Sequence, residues 1–98
     1  MILKMVITPL SKYQIAETKT FEKVKQKIDK KLYLKIKNFV YPQLRENPFY
    51  GTNIKKLKDN LEGYYRDRIG NYRLFYLIED DKLLIAVVDF KHRQQAYD

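Results

Sequence analysis

Apolar residues change their spacing along this chain, and the changes divide it into a short strand, two helices and a three-strand meander. After an apolar stretch at residues 1–7 and a turn-like break at Thr8-Pro9-Leu10-Ser11, alternation over Tyr13-Gln14-Ile15-Ala16-Glu17 predicts a short strand. Pro9 has no N–H to give a ladder, so residues 1–12 read as an N-terminal extension, either an added edge strand or loosely ordered chain. Residues 13–98 read as one domain.

Helical spacing follows. Thr18 or Thr20 can cap a helix beginning at Phe21, with Phe21, Val24 and Ile28 on one face and lysines at 23, 25, 27, 30 and 31 on the other. A second pattern, Leu32, Leu34, Ile36, Phe39, Val40 and Leu44, runs to about Glu46. Pro42 should kink it or mark its last turns, and Asn47-Pro48 stops it. Residues 49–61 read as a connector with a short turn at Ile54 to Lys58.

Strand-like runs then appear at Tyr64 to Ile69, Tyr72 to Glu79 and Lys82 to Phe90, separated by the pairs Gly70-Asn71 and Asp80-Asp81. The expected order is β-α-α-β-β-β. That is an α+β fold: a small antiparallel sheet with both helices packed on one face.

A two-residue loop at Gly70-Asn71 sets Ile69 opposite Tyr72, Arg68 opposite Arg73 and Arg66 opposite Phe75. Alternation then points Arg66, Arg68 and Arg73 from one face. Carrying the count through Asp80-Asp81 pairs Glu79 with Lys82 and adds Phe75, Leu77, Leu84, Ala86, Val88 and Phe90 to the arginine face. The other face, with Tyr65, Ile69, Tyr72, Leu74, Tyr76, Ile78, Leu83, Ile85 and Val87, is the better candidate for the core. Asp67 and Asp89 fall on that second face in this register. The three arginines are thus left without an in-sheet acid, although like charges across a ladder are destabilising. An anionic ligand is their natural complement, since guanidinium forks grip phosphate bidentately.

Composition narrows the chemistry. The 98 residues carry 20 Lys+Arg and 12 Asp+Glu, a net charge of +8, which suits a polyanionic partner. At 45% apolar the chain is too hydrophobic for a disordered basic tail, and it has no run near the roughly 20 apolar residues of a membrane span. The first seven residues are too short for a secretory signal, so the expected location is cytoplasmic, with no membrane partner. Cysteine is absent and His92 is the sole histidine, which excludes disulfides, nucleophilic cysteine and a multi-histidine metal site. No metal or cofactor is expected. Beyond the last strand, Lys91-His92-Arg93 and Tyr97 offer a phosphate grip or proton donor, a group titrating near neutrality, and a ring suited to base stacking.

These residues carry a resemblance. Tyr65-Arg66-Asp67-Arg68-Ile69-Gly70-Asn71-Tyr72-Arg73 resembles the "Y-R-x-R-x-G-x-Y-R" block of the RelE/ParE superfamily of toxins from toxin–antitoxin pairs. His92-Arg93 with Tyr97 is similar to its C-terminal "H-R-x-x-x-Y", and Asn47-Pro48, Leu57-Lys58 and the helix entry at Thr18 to Lys23 also match. The likeness covers residue 13 to the end. It implies a RelE-like microbial RNase fold and, for the RelE branch, a ribosome-dependent endoribonuclease (mRNA interferase). Such an enzyme cleaves messenger RNA in the ribosomal A site by metal-free attack of a ribose 2′-hydroxyl on phosphate.

The resemblance implies catalytic roles for Arg66, Arg68, Arg73, Arg93 (or Lys91) and Tyr97; beside it, the residues themselves offer His92 as a catalytic acid or base and Lys58 and Lys91 as contacts to RNA phosphate. The RelE pattern has lysines where Arg66 and Arg68 stand, and arginine is too basic to act readily as a base. Either His92 moves the proton, or the arginines only position phosphate and stabilise the pentacovalent transition state. ParE-type relatives share the scaffold and inhibit DNA gyrase by protein contact, which is the alternative reading. Both branches imply a cognate acidic antitoxin, for which Phe75, Leu77, Leu84 and Val88 offer an apolar seat.

Overall fold

Thr18 joins the first strand to the first helix. In the computed structural model, which describes residues 12–95, strand β1 (Gln14–Glu17) leads through Thr18 into α1 (Lys19–Lys25). The Thr18 hydroxyl accepts the Phe21 N–H at 3.2 Å and donates to the Val87 carbonyl at 2.9 Å. One side chain therefore caps the helix and ties it to the sheet. Asp29 caps the next helix by accepting from the N–H groups of Lys31 and Leu32, at 3.0 and 3.3 Å.

That helix comprises α2 (Lys30–Lys35), a π-helical segment (Ile36–Val40) and α3 (Tyr41–Glu46), in unbroken sequence. The widened turn answers the expectation of a kink at Pro42. Proline has no N–H and crowds the carbonyl one turn back, and the π segment ends where the Tyr41 N–H reaches the Ile36 carbonyl, one residue before Pro42.

The sheet has the order β1-β5-β4-β3-β2, with β2 (Ile54–Lys56), β3 (Tyr64–Ile69), β4 (Tyr72–Glu79) and β5 (Leu84–His92). The α+β class and the antiparallel meander are as expected, but the sheet is mixed and longer by one strand. The first strand runs parallel to β5, which the chain reaches only after the helices have carried it to β2 at the far edge and β3 and β4 have followed, and the segment read as a turn at 54–56 pairs with β3. Three residues are too few for alternation to reveal a strand. Helices and sheet enclose a core built on Phe21, Ile36, Val40, Tyr41 and Leu44 from the helices and Leu74, Tyr76, Ile85, Val87 and Phe90 from the strands. Leu83, expected in that core, is 39% exposed.

The first hairpin has the expected register: Ile69 faces Tyr72, Arg68 faces Arg73 and Arg66 faces Phe75. Gly70, at φ +60°, occupies the first loop position, as a type II′ turn requires. The second hairpin differs. A 3-10 turn (Asp80–Lys82) and Leu83, left-handed at φ +50°, make the loop four residues, so Glu79 pairs with Leu84. Glu79 and Lys82 still meet, at 3.3 Å, but as neighbours around the turn.

A second irregularity matters more. Between Phe75 and Tyr76 the β4–β5 register shifts: Tyr76 faces Val87 while Phe75 faces Asp89, leaving Val88 as the extra residue of a bulge. Every side chain beyond Val88 changes face. Phe90, expected beside the arginines, instead stacks on Tyr72 in the core with centroids 4.9 Å apart, and Asp89, expected in the core, turns to the arginine side.

Candidate functional site

Two rows of side chains cross the helix-free face. Register places Lys55, Arg66, Phe75 and Asp89 in one row, and Arg68, Arg73 and Lys91 in the next. Five cations therefore share a surface four strands wide, and the arginine trio expected from the hairpin count is present. The bulge supplies Lys91, which a regular ladder would have turned toward the helices.

The like-charged pair Arg68/Arg73 is eased by a residue the sequence reading missed. The Asn53 carbonyl accepts the Arg68 backbone N–H at 2.9 Å and Arg66 Nη1 at 2.7 Å, and its Oδ1 accepts Arg68 Nη2 at 3.1 Å. Both guanidinium groups are thereby drawn toward β2, away from Arg73, whose Nη1 lies 3.4 Å from the Tyr72 carbonyl. Nothing in Gly51-Thr52-Asn53 signals this role, because it exists only once β2 pairs with β3.

Lys91 Nζ lies 3.7 Å from Asp89 Oδ2. Beside them a cleft of about 270 Å³ opens between Phe75, Val88, Leu61, Tyr64 and Thr20. Lys58 sits nearby on the loop after β2, among Lys55, Lys56 and Asp59. Arg93 lies just past β5, its N–H bonded at 2.7 Å to the Asn71 carbonyl, so the chain exit is fastened to the tip of the arginine hairpin.

His92 is not brought to this face. It pairs with Tyr72, packs edge-on against that ring at 5.3 Å, and lines a groove with Val24, Ile28 and Leu32 of the helical side. Its Nδ1 accepts the Gln94 N–H at 3.3 Å. The expectation that it stands beside the arginines is corrected by the same bulge. Tyr97 and residues 1–11 of the N-terminal extension lie outside the described residues. Among the described residues no group of three or more His, Cys, Asp or Glu could hold a metal ion, and no helix is long and apolar enough to cross a membrane.

The carboxylates behind this face differ in environment. Asp67, buried on the core side, is pushed up to about 6 by burial, a rise that the neighbouring Arg66 charge opposes. Burial also raises Glu17, yet its hydrogen bonds from Tyr33, Tyr41 and Lys25 outweigh this and hold it below the usual carboxylate range.

Known proteins resemble the chain along nearly its whole length. The family model described as the ParE toxin of a type II toxin–antitoxin system, parDE, matches residues 15–97. Toxin RelE of Mycobacterium tuberculosis is 29% identical over 85 residues, covering 87% of this chain and 86% of that protein. Toxin YoeB of Escherichia coli K12 is 38% identical over 69 residues, covering 68% of this chain and 81% of its own length. The solved toxin–antitoxin complex RelBE2 of M. tuberculosis superposes with a TM-score of 0.73 at 26% identity, covering 83% of this chain and 98% of the matched one.

Proposed function

The chain belongs to the ParE toxin family of type II toxin–antitoxin systems, as a toxin of the RelE/YoeB type, and we propose that it is a ribosome-dependent endoribonuclease. The observation that carries this reading is the juxtaposition of Arg68, Arg73 and Lys91 across three strands, with Arg66 in the adjoining row. Guanidinium groups can grip phosphate oxygens bidentately and keep their charge at any working pH.

In this reading the 2′-hydroxyl of a bound ribose attacks the neighbouring phosphorus, its proton passing to solvent water, and the P–O5′ bond breaks. A 2′,3′-cyclic phosphate and a free 5′-hydroxyl result. Arg66, Arg68 and Arg73 hold the phosphate and gain contact as charge builds on its oxygens in the pentacovalent state. Lys91 and Arg93 are the donors nearest the strand exit, and the Lys91 ammonium is suited to protonate the departing 5′ oxygen. Tyr97 supplies stacking, and Lys58 a more distant phosphate contact. The position of His92 on the other face favours arginines that position and stabilise over a histidine that moves the proton.

An acidic antitoxin is the proposed partner. The solved relatives include a toxin–antitoxin complex and a YoeB–YefM complex from Staphylococcus aureus, 30% identical to this chain. Phe75, Leu77, Leu84 and Val88 are the apolar part of the helix-free face such a partner would cover. The ribosome and its message are the proposed target.

Cell-free translation with primer extension on the message tests the reading. Wild-type protein should leave cuts within codons, and Arg73→Ala should reduce them about 100-fold, the scale of losing one transition-state donor. The family name favours one rival, gyrase inhibition. Intact message with blocked DNA supercoiling would establish that rival instead.

A further inference from the structure

The chain enters its sheet at an edge. Among the described residues β1 is an outer strand, with β5 on one side and no strand on the other. Its parallel ladder to β5 uses every second residue: the Gln14 N–H reaches the Leu83 carbonyl at 2.9 Å and the Thr18 N–H reaches the Val87 carbonyl at 3.1 Å. Backbone groups alternate in direction along a strand, so Ile15 and Glu17 turn their N–H and C=O groups outward. Tyr13, earlier in the same series, gives its outward N–H to the Arg45 carbonyl at 3.1 Å. The end of α3 thus takes the first outward position and leaves the next two. An outer strand of this kind is a template for pairing with further chain.

Residues 1–11 offer such chain, and the family match, which begins at residue 15, does not include them. Ile2, Leu3, Met5, Val6 and Ile7 are apolar, and Lys4 is the one charged side chain among the first seven residues. Thr8-Pro9-Leu10-Ser11 with Lys12 makes a five-residue loop, which sets Ile7 opposite Tyr13, Met5 opposite Ile15 and Leu3 opposite Glu17. Pro9 then falls in the loop, where its missing N–H removes no ladder bond. Lys4 decides the parity. Tyr13 is buried, Ile15 packs against the core, and Glu17 accepts from Tyr33 and Tyr41, so all three face the helices. The count gives that side Leu3, Met5 and Ile7, and gives Lys4 to the helix-free side with exposed Gln14 and half-buried Ala16. A slip of one residue would turn Lys4 toward the core.

We propose that residues 1–7 add a sixth strand, antiparallel to β1, and so close this edge of the sheet against pairing with other chains. The inference is independent of the ribonuclease reading. Amide hydrogen exchange of the intact protein tests it, with the inward amides of Gln14 and Ala16 as the reference for a folded ladder. The Ile15 and Glu17 amides should exchange about 100-fold more slowly than exposed ones, because the Met5 and Leu3 carbonyls accept them. Met5→Pro removes the N–H that the Ile15 carbonyl accepts and should release the Ile15 amide by about tenfold or more. Val6→Pro should leave it protected, since the Val6 N–H points away from β1.

A second measurement needs no variant. Lys4 and Ala16 form a pair without ladder bonds, whose Cα atoms approach to about 4.5 Å, so their α-hydrogens should give a cross-strand NOE in the wild type. Exchange at Ile15 and Glu17 as fast as at exposed amides, absence of the Lys4–Ala16 contact, or protection of Ile15 that survives Met5→Pro would each overturn the assignment. Protection that rises with protein concentration would overturn it too, by giving the edge to a second copy of the chain.

Discussion

Glu17 and Arg68 stand on opposite faces of one sheet, and the protein handles their charges in opposite ways. On the helix-covered face the Glu17 carboxylate receives the Tyr33 and Tyr41 hydroxyls at 2.7 and 2.8 Å and the Lys25 ammonium at 3.1 Å. Lys25 also lies over the Tyr33 ring, 4.8 Å from its centre. β1, α1 and α2 and α3 each contribute a member, so this network closes on itself and pins the crossover to the sheet. The helix-free face instead gathers Lys55, Arg66, Arg68, Arg73 and Lys91 in two rows that also hold Asp89. Internal closure of charge marks a structural cluster. Accumulation of one sign, with Arg66 and Arg68 held by the Asn53 carbonyl and amide, is the feature the proposed grip on phosphate would use.

The largest test of this contrast is Glu17→Ala. It leaves two partly buried hydroxyls and an ammonium without their acceptor, which should cost about 2–4 kcal/mol of stability and lower the melting temperature by roughly 10 °C or more. Message cleavage per folded molecule should be unchanged. Calorimetry paired with cleavage assays well below the melting transition would check both halves, and cleavage falling with the network intact elsewhere would erase the division between faces. The acid limb follows from sign. A carboxyl held below its ordinary range stabilises the fold above its unfolded pKa and loses that contribution as pH falls through the folded value.

Asp67 provides the opposite sign on the same face. Its folded value of about 6 lies above the ordinary carboxylate range, so its carboxyl is comfortable when protonated. Stability from this group is complete below the unfolded pKa near 4 and declines as pH rises through 6, by on the order of 2 kcal/mol. Asp67→Asn should therefore stabilise the protein at pH 8 by about that amount and have little effect at pH 4. Urea unfolding at the two pH values measures the difference. Equal effects at both would show that Asp67 is as well satisfied as Glu17, and the two carboxylates would no longer differ in kind.

Much of this division was legible in the chain. The interval Gly70-Asn71 determines its own register, because a two-residue loop with glycine first allows little else, and three arginines follow from it by alternation. The cap at Thr18 and the disturbance at Pro42 are local matters of one hydroxyl and one missing N–H. The bulge was not legible. Val88 lies in a run of apolar residues, Ala86-Val87-Val88, with no glycine to mark it, and its extra residue appears only when β4 and β5 are paired. That single residue moved Asp89 and Lys91 onto the cationic face and Phe90 and His92 off it. The Asn53 clamp was hidden for a similar reason, since β2 is three residues long and is defined by its neighbour rather than by its own pattern.

The smallest effect is expected from the residue whose chemistry looked most suggestive. An imidazole between Lys91 and Arg93 is the obvious proton carrier by sequence, but its ring faces Tyr72 and the α1 side, a sheet's thickness from Arg73. His92→Ala should change message cleavage by less than about threefold, well inside the range of a general acid or base, whose loss typically costs 100-fold or more. The edge contact with Tyr72 should make the change felt in stability instead, by roughly 0.5–1 kcal/mol, or a few degrees of melting temperature. The pH–rate profile is the sharper readout. A wild-type limb near neutrality that vanishes in His92→Ala would place the imidazole in proton transfer and require the strand exit to fold back around the sheet edge. A profile unchanged by the substitution leaves the chemistry with the arginine face.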